Sequence, residues 1–176
     1  MMIEASDFRK VLGAFPTGVC VVTSTDPLGG NHGMVVGSFT SISLDPPLVG
    51  FFPARESRTW QAMRDNSNFC INILGAGADE HCRRFTARSG EKFAGLEFAS
   101  SRNGQPRLRD ALAWIDIAAD RVIEIGDHDL LVGRVTALAA AEEGEPMVFF
   151  RGRYRALAEP EAVRALQSPP HIYQNK

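Results

Sequence analysis

Hydrophobic residues near the start of the chain recur at helical spacing. Ser6 precedes them as a candidate N-cap, and Pro16 lacks the N–H that a longer helix would need. We therefore expect a first helix that begins at Ser6 and ends before Pro16. The residues that share its apolar face are Phe8, Val11, Leu12 and Phe15.

From residue 19 the pattern becomes that of strands. Residues 19–23 are rich in β-branched side chains, and turn-forming residues at 27–31 separate them from a second strand that begins near Gly33. Residues 33–52 have no helical period and contain Asp45-Pro46-Pro47. We expect a hairpin first, and then two strands around a rigid turn.

Helix signals return only briefly in the middle of the chain. A short helix is expected from Ser57 to near Asp65, a strand at 69–74, and a polar helical turn at 79–85. Residues 90–110 have the composition of a loop.

The last third of the chain again predicts strands. Residues 112–125 and 130–136 flank the turn-like Gly126-Asp127-His128-Asp129, as in a hairpin, and a last strand is expected at 147–157. A helix is expected at 159–167 before the polar tail that Pro169-Pro170 opens.

These elements predict a mainly β protein with few, short helices. Strands joined mostly by turns favour an antiparallel barrel over a βαβ sheet. The chain has 176 residues, of which 44% are hydrophobic, enough for one core. We expect one domain over 1–158, followed by a C-terminal helix and tail over 159–176, and the small size favours a dimer.

Charge and cysteine content narrow the choice of partners. The chain has 19 Lys+Arg, 21 Asp+Glu and a net charge of -2, which favours neither nucleic acid nor an anionic membrane. The N-terminus has no signal-peptide pattern and no segment is long enough to span a bilayer, so we expect a cytoplasmic protein. Cys20, Cys70 and Cys82 have no CxxC spacing, which indicates neither a disulfide framework nor a metal site.

Two common nucleotide-binding motifs are absent from the sequence. Gly75-Ala76-Gly77 follows a predicted strand, but Glu80 stands where a dinucleotide fingerprint needs its third glycine. No glycine-lysine-serine/threonine run forms a P-loop. A nucleotide would have to be bound in another way.

Residues 35–43 place hydroxyl groups at alternate positions around Gly37. This arrangement allows close backbone approach and hydrogen bonds to a planar polar ring. On composition alone, the solvated face of an antiparallel strand is the commoner source of such a pattern.

Two groups of residues have the chemistry that a phosphate requires. Ser57-Arg58-Thr59 combines hydroxyls, a guanidinium and the amides of a helix start, although an ordinary N-cap has the same sequence. A local basic cluster either meets a pyrophosphate or forms a solvated face. Its members are Arg83, Arg84, Arg88 and Lys92.

Gly126-Asp127-His128 has two interpretations. Gly-Asp is typical of a turn that exposes the next residue, yet a histidine here could donate a hydrogen bond or transfer a proton near neutral pH. The aromatic residues Trp60, Phe150 and Tyr154 could stack on rings or belong to the core.

Taken together, these segments resemble the short-chain flavin reductase family, the reductase components of two-component flavin-dependent monooxygenases. The resemblance runs almost end to end, and its motifs occur in the family's order. They are FRKVLGAFPTGVCVVT (8–23), HGMVVGSFTSISLDPPLV (32–49), SRTW (57–60), FCINIL (69–74), GDHDLLVGRV (126–135) and FFRGRYRAL (149–157).

The resemblance implies a homodimeric, FMN-binding split β-barrel, an antiparallel barrel of the Greek-key type, and it implies roles for individual residues. The flavin ring would be lined by Val35, Val36, Gly37, Ser38, Phe39, Ser41 and Ile42. The flavin phosphates would lie near Glu56, Ser57, Arg58 and Thr59, with Arg88 and Lys92 in reach, and Asn72 matches another cofactor-side position. The nicotinamide side would have His128 as its catalytic residue, with Asp127, Gly152, Arg153, Tyr154 and Arg155.

The sequence departs from the family at the flavin ring. A threonine is common where this chain has Val35, and alanine-asparagine or alanine-serine where it has Val36-Gly37. Fewer side-chain hydrogen bonds to the flavin are then expected, with the backbone amides of Gly37 and Ser38 serving the ring. The choices between FMN and FAD and between NADH and NADPH stay open.

The activity implied is hydride transfer from NADH or NADPH to FMN or FAD, after which the reduced flavin diffuses to a monooxygenase. Two alternatives stay open. The protein could pass electrons from a retained flavin to another acceptor, such as a metal-containing cofactor. It could also be a flavin-binding module without turnover.

Overall fold

A computed structural model describes residues 3–88 and 90–157 of the chain. Within this part no helix is both long and apolar enough to cross a membrane. The helices are α1 (Ala5–Leu12), α2 (Arg58–Met63) and α3 (Asp79–Thr86). The strands are β1 (Thr17–Gly18), β2 (Cys20–Thr25), β3 (Asn31–Val36), β4 (Thr40–Leu44), β5 (Pro47–Phe51), β6 (Asn68–Ile73), β7 (Phe98–Ser100), β8 (Pro106–Leu108), β9 (Ala113–Ile125), β10 (His128–Ala140), β11 (Met147–Phe150) and β12 (Arg153–Ala156).

The first helix differs from its prediction at both ends. Glu4 occupies the N-cap position without a side-chain cap, and Ser6 lies within the first turn, so the predicted Ser6 cap is wrong. The helix ends at Leu12, with Gly13 as its C-cap, because the Ala14 and Phe15 amides bond three residues back, to the Val11 and Leu12 carbonyls at 3.0 Å. Its apolar face, Phe8, Val11, Leu12 and Phe15, is more than half exposed.

Seven antiparallel strands form the main sheet, in the order β3-β2-β6-β9-β10-β5-β4. The predicted hairpins β2–β3 and β9–β10 are confirmed, and β4 and β5 pair around the turn at Asp45-Pro46. The edge strands β3 and β4 do not pair with each other. The sheet is therefore open, as expected of a split barrel.

The last predicted strand is in fact a hairpin. Within 147–157, β11 and β12 pair with Phe149 opposite Tyr154, and β1 joins them in a second sheet. The turn needs two residues with positive φ, Arg151 at 48° and Gly152 at 75°, and glycine adopts such a backbone without a Cβ penalty. The predicted loop 90–110 also contains β7 and β8, and the predicted tail at 159–176 lies outside the described residues.

Two buried clusters fix α2 and α3 against the main sheet. Trp60 of α2 packs on Phe51 and Phe69, with ring centroids 6.0 and 6.4 Å from its own. Phe85 of α3 packs over Gly33 of β3, where an added Cβ would lie 2.7 Å from Phe85 Cδ1 and closer still to Cε1. The absence of a side chain at Gly33 therefore lets α3 lie close to β3.

All three cysteines are free thiols in the interior. Desolvation by burial raises the pKa of each, that of Cys20 to about 12. Cys20 and Cys82 belong to different core clusters.

Candidate functional site

Two adjoining clefts lie along β3, and they share Met34, Val35 and Ser57. The first, which we name the basic cleft, has a volume of about 550 Å³. It is lined by Met34, Val35, Glu56, Ser57, Arg58, Thr59, Phe85, Thr86, Ala87, Arg88 and Lys92. The second, the histidine cleft, has a volume of about 530 Å³. It is lined by Thr17, Met34, Val35, Val36, Gly37, Ser38, Phe52, Ala54, Ser57 and His128.

The start of α2 forms one wall of the basic cleft. The Ser57 hydroxyl oxygen accepts a hydrogen bond from the Trp60 N–H at 3.3 Å, which confirms the predicted cap. Arg58 and Thr59 occupy the first two helical positions. The residues that cap the helix thus also form the wall of the cleft. The two interpretations of Ser57-Arg58-Thr59, as a helix cap and as a phosphate-binding segment, are compatible.

Lys92 lies where α2, α3 and β3 meet. Its ammonium donates to the Phe85 carbonyl at 2.9 Å, the Thr59 hydroxyl at 3.1 Å and the Gly33 carbonyl at 3.5 Å. Desolvation lowers the pKa of Lys92 below its ordinary value. An anion in the basic cleft would meet a cation that is already fixed in place.

The other three residues of the predicted basic cluster lie in two different places. Arg88 lines the basic cleft, whereas Arg83 and Arg84 line a neighbouring depression together with Glu80. Arg84 pairs with Glu80 at 3.3 Å. The structure therefore brings two of the four basic residues, Arg88 and Lys92, to the cleft.

His128 stands at the start of β10 on the histidine cleft. Its Nδ1 lies 2.7 Å from Asp127 Oδ1, and this hydrogen bond is the largest of the effects that lower the pKa of Asp127. The imidazole is partly exposed, and Nε2 makes no hydrogen bond within the described residues. Asp127 thus orients the ring and leaves Nε2 for a ligand.

The basic cleft and the histidine cleft together form one groove. Residues 35–38 form its floor, between the basic end and the histidine end. The Ser38 hydroxyl accepts a hydrogen bond from the Phe52 N–H at 3.0 Å and donates one to the Phe52 carbonyl at 3.2 Å. This hydroxyl therefore has a structural role, because it joins the residues after β3 to those after β5. A Cβ at Gly37 would lie 2.9 Å from Thr17 Oγ1, which gives this glycine a packing reason as well. Val35 and Val36 add apolar surface to the floor.

Comparison with known proteins decides the family. Residues 12–158 match the family described as flavin reductase like domain. The chain belongs to this family.

A flavin reductase from Pseudomonas putida is 44% identical over 156 residues, 89% of this chain and 92% of that protein. The reductase subunit HsaB of a flavin-dependent monooxygenase from Rhodococcus jostii is 39% identical over 163 residues, 93% of this chain and 83% of that protein. The structure of NADH:FAD oxidoreductase SgcE6 from Streptomyces globisporus, in complex with NAD and FAD fragments, has a TM-score of 0.83 and 32% identity, covering 92% of this chain and 99% of that one.

The chemistry of the groove in this flavin reductase-like domain fits a flavin nucleotide. Arg88 and the Ser57 hydroxyl offer donors at one end, and the Lys92 ammonium adds a positive charge there, as a phosphate needs. Val35 and Val36 offer an apolar floor for a ring system, and His128 lies at the far end. Residues 35–38 and 56–59, with Arg88 and Lys92, would hold the flavin, which when bound accepts hydride from a reduced nicotinamide.

Several residues implied by the resemblance line neither cleft. Phe39 packs against the first core cluster, and Ser41 and Ile42 lie on the edge strand β4. Asn72 is fully buried, where its amide donates to the Val21 carbonyl at 3.1 Å and accepts from the Leu108 N–H at 2.8 Å. Within this chain Asn72 braces the core.

The predicted nicotinamide segment at 152–155 also lines neither cleft. Gly152 is in the β11–β12 turn, and Arg153, Tyr154 and Arg155 follow on β12, in the second sheet. Tyr154 lines a small pocket of about 120 Å³ with Asp79 and Met147. Desolvation raises the pKa of Tyr154 to about 12. The role of this segment at the nicotinamide stays a prediction.

Sequence reasoning missed several residues of the site. Met34, Phe85 and Thr86 line the basic cleft, and Thr17, Phe52 and Ala54 line the histidine cleft. It also missed Asp129, which is fully buried and accepts a hydrogen bond from Trp60 Nε1 at 2.7 Å. The sequence contains one signal for it, because Asp129 directly precedes the apolar run 130–132. An acidic side chain that is buried with such a run needs a polar partner.

Proposed function

We propose that this protein is an NADH-dependent flavin reductase that supplies reduced FMN or FAD to a partner monooxygenase. The observation that supports it most directly is the continuous groove, which has cations at one end and an oriented histidine at the other. HsaB is by name the reductase subunit of a flavin-dependent monooxygenase, and SgcE6 is an NADH:FAD oxidoreductase.

The protein's part in this reaction is positioning. Arg88, Lys92 and Ser57 would bind the flavin phosphate, and residues 35–38 would support the ring. His128, whose Nδ1–H is held by Asp127, would accept a hydrogen bond from the nicotinamide amide N–H at Nε2. Holding both reactants at hydride-transfer distance converts an encounter in solution into a step between fixed groups.

The deciding experiment mixes the purified protein with NADH in air, with and without catalytic FMN or FAD. Loss of the reduced-nicotinamide absorbance is followed. Oxidation that requires added flavin and saturates with it supports a reductase of diffusible flavin, and repetition with NADPH compares the two nicotinamides. Flavin binding without any NADH oxidation would refute the proposal and favour a binding module.

Replacing His128 with alanine tests its role. We expect the KM for NADH to rise and flavin reduction to slow by about tenfold or more, because one hydrogen bond to the nicotinamide is lost. The Kd for FMN, measured by flavin fluorescence, should stay within about twofold, since the phosphate end of the groove is untouched. Wild-type turnover at low NADH would contradict the assignment.

We further propose that the protein is a homodimer. The apolar face of α1 presents Phe8, Val11, Leu12 and Phe15, and no segment of the described chain covers it. An uncovered apolar face of this kind is typical of an interface between subunits. Light scattering should give the mass of two chains, and the Val11→Glu and Leu12→Glu variants should shift it toward one. A wild-type monomer would contradict this proposal. The cytoplasmic location stays a prediction.

A further inference from the structure

The two ends of the groove are joined by a short backbone pairing. The Arg55 N–H donates to the Asp127 carbonyl, and the Asp129 N–H donates to the Pro53 carbonyl, each at 3.0 Å. Ala54 forms an antiparallel bridge with His128 between them. The segment 53–55, which leads into the Glu56–Thr59 wall of the basic cleft, is thereby attached to the His128 turn.

A buried carboxylate reinforces this junction. Asp129 is fully buried, its Oδ2 accepts from Trp60 Nε1 at 2.7 Å, and Oδ1 makes no hydrogen bond within the described residues. Arg64 and Arg55 approach it at 3.7 and 3.8 Å. Burial of a carboxylate costs several kcal/mol in a protein interior unless partners offset it. Packing alone would be served better by an apolar residue, which indicates that the carboxylate has a specific role.

Trp60 connects Asp129 to the phosphate end of the groove. Its backbone N–H bonds the Ser57 hydroxyl and its indole N–H bonds Asp129, so the start of α2 is tied to the strand that begins at His128. Arg55 supplies a second connection, because it also pairs with Glu124 at 3.3 Å on the neighbouring strand. Asp129 itself lines neither cleft.

We propose that Asp129 is a positioning residue that fixes the Glu56–Thr59 wall of the basic cleft relative to His128. The inference rests on the proposed function, since it assumes that the flavin phosphate binds this wall. Without the Asp129 carboxylate, the wall loses its connections through Trp60, Arg55 and Arg64 to the strand that begins at His128. The donors for phosphate then lose part of what fixes their separation from the histidine. The phosphate contribution to flavin binding and the KM for NADH then change together.

Asp129→Asn separates positioning from simple electrostatics. The substitution removes a negative charge from the residue that bonds Trp60 of α2, the helix whose start lines the proposed phosphate site, so electrostatics alone would tighten FMN binding. Positioning predicts the opposite, because the asparagine oxygen can still accept from Trp60 but no longer pairs Arg55 and Arg64. The measured quantity is the ratio of the Kd for riboflavin, which lacks the phosphate, to the Kd for FMN, from flavin fluorescence without NADH.

Asp116→Asn is the matched control. Asp116 is also a fully buried acid with one oxygen that makes no hydrogen bond in the described residues, while Oδ2 accepts from the Asn103 N–H at 3.2 Å. It lies on β9, pairs with Cys70 in register and lines neither cleft. A merely structural cost of losing a buried carboxylate should appear in both variants.

We expect Asp129→Asn to lower the riboflavin-to-FMN ratio at least about threefold and to raise the KM for NADH, while Asp116→Asn leaves both within error. Trp60→Phe, which changes no charge, should lower the ratio in the same direction and serves if Asp129→Asn does not fold.

An unchanged ratio in the folded variants, or equal loss in Asp116→Asn, overturns the inference. A wild-type protein that binds FMN no better than riboflavin overturns it too. If instead wild-type binds FMN with a clear phosphate preference but oxidises no NADH, the proposed function fails while the positioning role is still measured by the ratio.

Discussion

The contact between α3 and β3 predicts a specific cost for a side chain at Gly33. In Gly33→Ala the new Cβ would lie 2.7 Å from Phe85 Cδ1, about 1 Å inside ordinary carbon contact. The obstacle is a buried ring that packs on Phe93 at 5.2 Å, so it cannot swing away as a flexible chain end would. Overpacking of this kind costs about 1–3 kcal/mol, which we expect as a lower free energy of unfolding in urea.

A double-mutant cycle tests the cause. Phe85→Leu alone should cost about 1–2 kcal/mol through the space it leaves, yet in the Gly33→Ala background it should cost less or stabilise, because the smaller side chain relieves the clash. Since Phe85 lines the basic cleft, Gly33→Ala should also weaken FMN binding more than the double variant does. Additive costs, or Gly33→Ala within about 0.5 kcal/mol of wild type, would refute the reasoning.

Two further predictions concern charge and backbone. Desolvation lowers the pKa of Lys92, so its ammonium loses its proton at a lower pH than an exposed lysine, whose pKa is about 10.4. The riboflavin-to-FMN Kd ratio should therefore fall with rising alkaline pH, and a Lys92→Met variant that shows the same fall would contradict this cause. Gly152→Ala should cost about 1 kcal/mol because φ is 75° there, whereas Gly18→Ala, at a site with open space and no positive φ, should be nearly neutral in the same urea titration.

The local elements were predictable from the sequence where turn chemistry marks them. The residues at 27–31 indicated the β2–β3 hairpin, and Ser57 indicated the start of α2. The β11–β12 hairpin was missed because its turn begins with Arg151, whose φ of 48° is uncommon for a side chain of that size.

The site was harder to predict because burial depends on distant parts of the chain. Nothing near Asn72 indicates that Val21 and Leu108 enclose its amide. Asp129 resembles a turn residue until Trp60, 69 positions away in sequence, is seen to bond it. The segment 152–155 fits its motif, and its role at the nicotinamide stays a prediction, because a motif does not state which cleft its residues line.

The interior location of the three thiols has a consequence for working in oxygen. Reduced flavin that reacts with dioxygen releases hydrogen peroxide, and peroxide attacks the thiolate form of cysteine when it can reach it. Here burial removes access and, by raising the pKa of Cys20, Cys70 and Cys82, suppresses the thiolate as well. The chain thus presents no reactive sulfhydryl to the oxidant that its own proposed reaction would generate.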